Sequence, residues 1–324
     1  MRSVVFERFG APSEVLGTAE RPLPQPGPGE IRVRLVLSPI HNHDLWTIRG
    51  TYGVKPALPA AGGTEALGIV DALGEGVSGP AIGRRVVITG VSGVWSEFFL
   101  APAARAIPIP DSIDDETACQ LIAMPVSALI LLHDLEVKVG DWIAQNAANG
   151  AVGRLVARLA AKRGVRVLSV VRRDAGLAEL SAAGIGDAVS SEHAGWQERV
   201  QAITGGAPIL RAVDSVGGEA ANQLAELLAP GGRLVSFGAM SNRPLEISSG
   251  LLIFRRITVS GFWAAVRTGE LGPKLGEMIG ELITMAASGE LRLPVDGVFP
   301  LEKAAEAAAA SDRPGRGGKV VLKP

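Results

Sequence analysis

The stretch WIAQNAANGAVGRLVARLAAKRG, residues 142–164, decides how this chain is read. A hydrophobic run ends in a turn of small residues, and a helix begins inside that turn. Ala147, Gly150 and Gly153 stand three apart, with Ala147 in the place of the first glycine of the dinucleotide fingerprint. Small residues permit a tight turn and a close backbone approach, while a helix N-terminus offers free N–H groups to a pyrophosphate. A strand–helix turn that binds nothing would use the same residues. The strand VRVLSVV that follows the helix supplies the β-α-β context and favours the nucleotide.

That second strand ends at Val171, where sites that prefer NAD place an acid for the ribose hydroxyls. Here Val171 is followed by Arg172, Arg173 and Asp174. Two guanidinium groups suit a 2′-phosphate, so the reading is NADPH over NADH. Asp174 keeps the second cofactor open.

Working outward, strand-like and helix-like segments alternate from Asp141 to about Gly261, through WQERVQAITG, ILRAVDSV, AANQLAELLA and GRLVSFG. This alternation implies a parallel sheet covered by helices. The first 115 or so residues differ. IRVRLVL (31–37), ALGIVDAL (66–73) and RRVVITG (84–90) are short strand patterns separated by Pro and Gly, as in PLPQPGPGE (22–30). They predict an irregular barrel or sandwich. The texture changes near Asp111, where an acidic cluster opens an apolar helical segment. The tail has two helical patterns, LGEMIGELITMAASG and LEKAAEAAAAS, and a closing strand GKVVLKP that is expected to complete the first domain.

The length of 324 residues fits two domains at ~150 residues each. The 32 basic and 33 acidic side chains leave a net charge of −1 with no basic block, which argues against nucleic acid as a partner. A single cysteine, Cys119, excludes an intrachain disulfide and fits a reducing compartment. Glu7 and Arg8 interrupt the N-terminus before a signal-peptide core could form. The apolar stretch from Thr117 to Leu132 falls short of the ~20 residues of a spanning helix and contains Pro125. A soluble cytoplasmic protein with no membrane partner is expected.

Four side chains in the segment 40–56 could carry chemistry. In IHNHDLW (40–46), His41 and His43 alternate and Asp44 is adjacent. A catalytic zinc takes three protein ligands, yet the chain has four histidines and one cysteine, with His133 and His193 in other contexts. No metal is expected, and the two histidines are read as loop residues. Tyr52, the single tyrosine, lies in the Gly- and Pro-bounded segment IRGTYGVKP. A phenol there can donate a proton or hydrogen bond to an enolate-like intermediate. No G-x-S-x-G elbow is present for serine chemistry.

Taken together, the β-rich start, the A-x-x-G-x-x-G turn and the closing GKVVLKP resemble the medium-chain dehydrogenase/reductase superfamily across essentially the whole chain. GEIRVRLVLSPI, GTEALGIVDALGEGV and IGRRVV match the opening of its GroES-like domain in order. The resemblance implies an α/β protein: a Rossmann doubly wound parallel sheet domain over residues 118–263, and a GroES-like β-rich catalytic domain from 1–117 and 264–324. In that superfamily the active site lies in the cleft between the two. Zinc members match poorly. Their first cysteine ligand corresponds to His41, their Gly-His-Glu reads Gly63-Thr64-Glu65, and the later cysteine falls at Ala123.

Two zinc-free branches compete. Quinone oxidoreductases share a segment like Gly50-Thr51-Tyr52. SPIHNHDLWTIRGTYG (38–53), QNAANGAVG (145–153), DSVGG (214–218) and LLIFRRITVSGFW (251–263) are more similar to the trans-2-enoyl thioester reductases. Their Asn-Pro-Ser-Asp reads His41-Asn42-His43-Asp44 here, and their threonine reads Ser127. This resemblance implies NADPH-dependent reduction of the carbon–carbon double bond of a trans-2-enoyl thioester or related α,β-unsaturated carbonyl. Hydride goes to the β-carbon and a proton to the α-carbon. It implies catalytic roles for Tyr52 and Trp263, the latter near the substrate entrance. Cofactor contacts are implied at Ser127, Asn149, Gly150, Ala151, Val152, Gly153, Arg172, Arg173, Gly238, Phe262 and Lys319. An NADPH quinone oxidoreductase or alkenal reductase is the alternative. A non-catalytic NADPH-binding protein is a second, kept open by the changes at 41–43. A homodimer is expected through edge-strand pairing around LLIFRRITVSGF, a hydrophobic edge that otherwise invites aggregation.

Overall fold

Along Glu30–Pro39, Ile31, Val33 and Leu35 are buried while Arg32 and Arg34 are not, the period-two pattern of a half-buried strand. The structure, a computed structural model, describes residues 1–324. It divides into two units, one of Met1–Ala123 with Glu277–Pro324 and one of Met124–Gly276. The sequence places those divisions at 117/118 and 263/264. The helix that follows residue 263 stays with the second unit, where Arg267 pairs with Asp134 at 2.7 Å.

The first unit begins with β1 (Arg2–Phe6), α1 (Pro12–Val15), β2 (Gly17–Glu20), β3 (Glu30–Pro39), α2 (Asn42–Arg49) and β4 (Ala60–Ala61). It continues through β5 (Glu65–Leu73), β6 (Arg85–Thr89), β7 (Phe98–Pro102), β8 (Ile107–Pro108) and α3 (Asp115–Ala118). The chain then runs through α4 (Ala123–Asp134), β9 (Trp142–Gln145), α5 (Ala151–Lys162), β10 (Arg166–Val171), α6 (Ala175–Ala182), β11 (Ala188–Ser190) and α7 (Trp196–Thr204). β12 (Ile209–Asp214), α8 (Gly218–Glu226), β13 (Leu228–Ser236), α9 (Ser249–Phe254), β14 (Thr258–Gly261), α10 (Ala264–Glu270) and α11 (Pro273–Ala287) follow. β15 (Val295–Pro300), α12 (Ala304–Asp312) and β16 (Lys319–Lys323) close the chain.

In the first unit the strands form a small sheet, β2-β1-β4, and a larger one ordered β15-β16-β3-β5-β6-β8, with β7 also on β3. The tail does return: β16 pairs antiparallel with β3, Leu322 opposite Ser38. Its core gathers Phe6, Ile31, Val33, Leu35, Leu45, Ile88 and Trp95 with the small face of α12, Ala304, Ala307 and Ala308. In the second unit a parallel sheet runs β11-β10-β9-β12-β13-β14. The order reverses between β9 and β12, the switch point where doubly wound sheets hold ligands. Its core includes Trp142, Leu168, Val170, Trp196, Ile209, Leu224 and Leu234.

Two expectations are corrected. The histidine segment is no loop: His41 caps α2 and His43 lies within it. Only part of LLIFRRITVSGF is a strand, because Ser248 accepts the Gly250 N–H and starts the helix α9, leaving Thr258–Gly261 as the edge strand. No helix is long and apolar enough to cross a membrane.

Candidate functional site

Within the second unit, β9 runs into the small-residue turn and α5 starts from it. Ala147 has φ 45°, the left-handed conformation that a glycine takes more easily. Gly150 is the N-cap, with no side chain satisfying the helix N-terminus, so the amides of Ala151, Val152 and Gly153 present the unpaired donors of a first turn. At Gly153 a Cβ would fall 2.7 Å from the Ala148 carbonyl oxygen, so only glycine lets α5 sit this close to the turn. Asn149 is held by Glu179, its Nδ2 donating at 2.8 Å.

Two residues that sequence reasoning missed brace this turn. Asp214, fully buried at the end of β12, accepts from Asn146 Nδ2 (2.5 Å), the Val216 and Gly217 amides and the Ser236 hydroxyl. Asn146 in turn accepts from the Ser215 N–H (2.8 Å). The signal for them was a polar residue closing each of two adjacent apolar strands.

At the end of β10, Val171 is buried and Arg172 and Arg173 are exposed. Asp174 is turned to other partners: its carboxylate lies 3.2 Å from His193 Nε2 and its N–H donates to Glu192. The Ser190 hydroxyl, with His193, holds the Asp174 carboxyl below its ordinary range. Among the other predicted contacts, Ser127 is buried on α4. Gly238 packs so closely on Ser215 that a Cβ would meet its carbonyl oxygen at 2.8 Å. Phe262 donates its N–H to Ser236 just past β14, and Trp263, 42% exposed, caps α10.

The first unit assembles a different cluster. Glu65 and His41 are fully buried and joined, Glu65 Oε2 to His41 Nε2, at 2.7 Å. Glu65 Oε1 accepts the Ile122 and Ala123 amides at 3.0 and 2.8 Å. Burial pushes Glu65 up to about 7, against the pull of those two amides, and burial holds His41 well below the ordinary imidazole range. Lys319, predicted as a cofactor contact, is buried beside them and donates to the Ile40 carbonyl at 3.4 Å. Burial brings it down to about 8, with Asp44 and Glu65 pulling the other way.

Asp44 takes the His41 N–H at 2.9 Å and the Thr64 hydroxyl at 2.7 Å. Thr64 also meets His43 Nε2 at 2.6 Å. Thr64 and Glu65 are delivered by Gly62-Gly63, whose backbone carries the buried Trp95 ring; a Cβ on Gly63 would come within 2.2 Å of that ring, and Gly63 has φ 87°. On the other side, α2 ends at the left-handed Gly50, and the Tyr52 N–H donates back to the Trp46 carbonyl. Tyr52 is thereby half-buried with its ring 5.8 Å from that of His43. Glu65, Asp44 and Thr64 were missed as functional candidates. The acid that opens the apolar run EALGIV was the available sign.

Residues 27–111 match the alcohol dehydrogenase GroES-like domain family, and residues 151–275 the zinc-binding dehydrogenase family. The mitochondrial enoyl-[acyl-carrier-protein] reductase of Bos taurus is 31% identical over 329 residues, covering 99% of this chain and 88% of its own. Among solved structures, Escherichia coli quinone oxidoreductase complexed with NADPH is 27% identical with a TM-score of 0.90, covering 100% of both chains. Pseudomonas syringae quinone oxidoreductase is 28% identical with a TM-score of 0.89, covering 100% of this chain and 99% of its own.

The family description raises zinc, and the residues present do not fit it. A catalytic zinc needs three protein ligands. Thr64 and Ala123 offer none of the usual side chains, and His41 Nε2 is already committed to Glu65. Matches to both domain families, and to a relative over nearly the full length, show that the chain belongs to the medium-chain dehydrogenase/reductase superfamily of oxidoreductases.

Proposed function

We propose that the chain uses NADPH to reduce the carbon–carbon double bond of a trans-2-enoyl thioester or a related α,β-unsaturated carbonyl. The observation that carries this reading is Tyr52, a half-buried phenol set beside an ordered polar cluster with no zinc ligand set. Such a group suits protonation at carbon. The name of the Bos taurus relative agrees with it.

The cofactor reading rests on the second unit. The uncapped start of α5 and the Gly153 approach fit a pyrophosphate, and the exposed Arg172 and Arg173 fit a 2′-phosphate. Bound there, NADPH supplies the hydride for the β-carbon. Ser127, Asn149, Gly238, Phe262 and Lys319 are proposed to complete its binding. Tyr52, of the first unit, gives its proton to the α-carbon or hydrogen-bonds the enolate oxygen, and Trp263, of the second, is proposed to border the substrate's path. A homodimer through β14 is part of the same proposal.

The test is NADPH oxidation by chelator-treated protein with a short trans-2-enoyl-CoA, and a quinone as parallel acceptor. Thioester turnover is expected, and Tyr52→Phe is expected to lower kcat by about 10²-fold with NADPH affinity unchanged. The second reading, a quinone reductase, is favoured by the full-length likeness to two quinone oxidoreductases. Turnover of quinone alone, indifferent to Tyr52→Phe, selects it.

A further inference from the structure

We infer that His43 is the group that returns a proton to Tyr52 after each turnover, a role resting on the enoyl-reductase reading above. Thr64 spends its single hydroxyl hydrogen on Asp44 Oδ1 at 2.7 Å. At 2.6 Å from His43 Nε2 it can therefore only accept, which fixes the hydrogen of the neutral ring on Nε2. The basic position left is Nδ1. Asp44 is itself held, since its other oxygen takes the His41 N–H at the start of α2. The His43 ring is thus clamped through one edge, and its side chain is 22% exposed, so water reaches it.

The neighbouring histidine is built for the opposite purpose. His41 is fully buried, bonded to Glu65, and its Nδ1 has no partner. It stacks on His43 with centroids 5.1 Å apart, while Tyr52 lies against His43 at 5.8 Å. The titratable and charged groups around His43 are His41 and Asp44 at the start of α2, Tyr52 beyond its end and Glu65 on β5, with Lys319 on β16 acting in turn on His41, Asp44 and Glu65.

The proton balance is simple. The Tyr52 O–H bond breaks and a C–H bond forms at the α-carbon, leaving a phenolate. His43, as imidazolium, gives its Nδ1 proton to the phenolate and takes another from solvent. Its Nε2 hydrogen stays with Thr64 throughout.

The experiment compares wild type, Tyr52→Phe, His43→Phe and the double variant with trans-2-enoyl-CoA. His43→Phe keeps an aromatic ring and removes the proton carrier. It is expected to lower kcat by about 10²-fold and to remove one ionisation from the pH profile of kcat, with the Kd for NADPH unchanged. In the Tyr52→Phe background it should add nothing. An impaired Tyr52→Phe beside an unimpaired His43→Phe with the same pH profile overturns this inference alone. An unimpaired Tyr52→Phe overturns both readings. As a readout independent of turnover, the ring ¹⁵N shifts of neutral His43 should report hydrogen on Nε2 in wild type and lose that preference in Thr64→Val. Hydrogen on Nδ1 in wild type also overturns it.

Discussion

Arg172 and Arg173, both exposed, are the residues on which the proposed choice of NADPH over NADH rests. Neither arginine is matched by an acid at the end of β10, while Asp174 is occupied by His193 and Glu192. The double variant Arg172→Ala/Arg173→Ala is expected to raise the KM for NADPH tenfold or more, and to leave NADH use unchanged. Steady-state kinetics with both cofactors decide it. Lys319 makes a prediction of a different kind. Its folded value of about 8 lies below the ordinary 10.5, so between those values the unfolded chain binds more protons than the folded one. Burial of this cation therefore costs stability below pH 8, and the cost is relieved as pH rises toward 10.5. Lys319→Met should flatten that rise in denaturation midpoints measured from pH 8 to 10.5, and a slope unchanged from wild type would remove Lys319 as its source.

At the scale of elements, the short segment before β5 does more than join strands. Gly62 and Gly63 let Trp95 lie on their backbone, and that contact sets where Thr64 leads into Glu65, the first residue of β5. Gly63→Ala meets both the indole and a positive φ, and is expected to cost about 2–3 kcal/mol in urea denaturation. The turn between β9 and α5 was legible in the sequence because its requirements are local: a strand, three small residues and a helix lie within one short stretch. The first unit's cluster was not. His41 and Glu65 are 24 positions apart, and Lys319 meets Ile40 across 279. No periodicity links such residues: the pairing of β3 with β5 brings His41 to Glu65, and the pairing of β16 with β3 brings Lys319 to Ile40. The α9 misreading has a local cause, since LLIF has strand composition and its helical start depends on the hydroxyl of Ser248.

For the whole molecule, the alternation of segments was enough to separate a parallel-sheet unit from a β-rich one, and the closing strand's return was legible from its pattern. The strand order was not, since spacing alone does not say that β12 pairs with β9. The exposed edge of the parallel sheet carries the last prediction. β14 is exposed along its length, and Ile253 and Phe254 of α9 nearby are 66% and 84% exposed. A charge on such an edge blocks pairing with a second copy. If the proposed homodimer pairs through β14, Val259→Lys is expected to convert it into a monomer in analytical ultracentrifugation, with the fold retained by circular dichroism. A dimer that survives the change would place the interface elsewhere.

Tyr52 is the chain's one tyrosine, and it lies against the imidazole of His43. Fluorotyrosine supplied during expression therefore labels a single position, and the fluorine spectrum of the whole protein reduces to one resonance. That line reports on the phenol at the proposed centre of the chemistry, without a spectator signal to subtract.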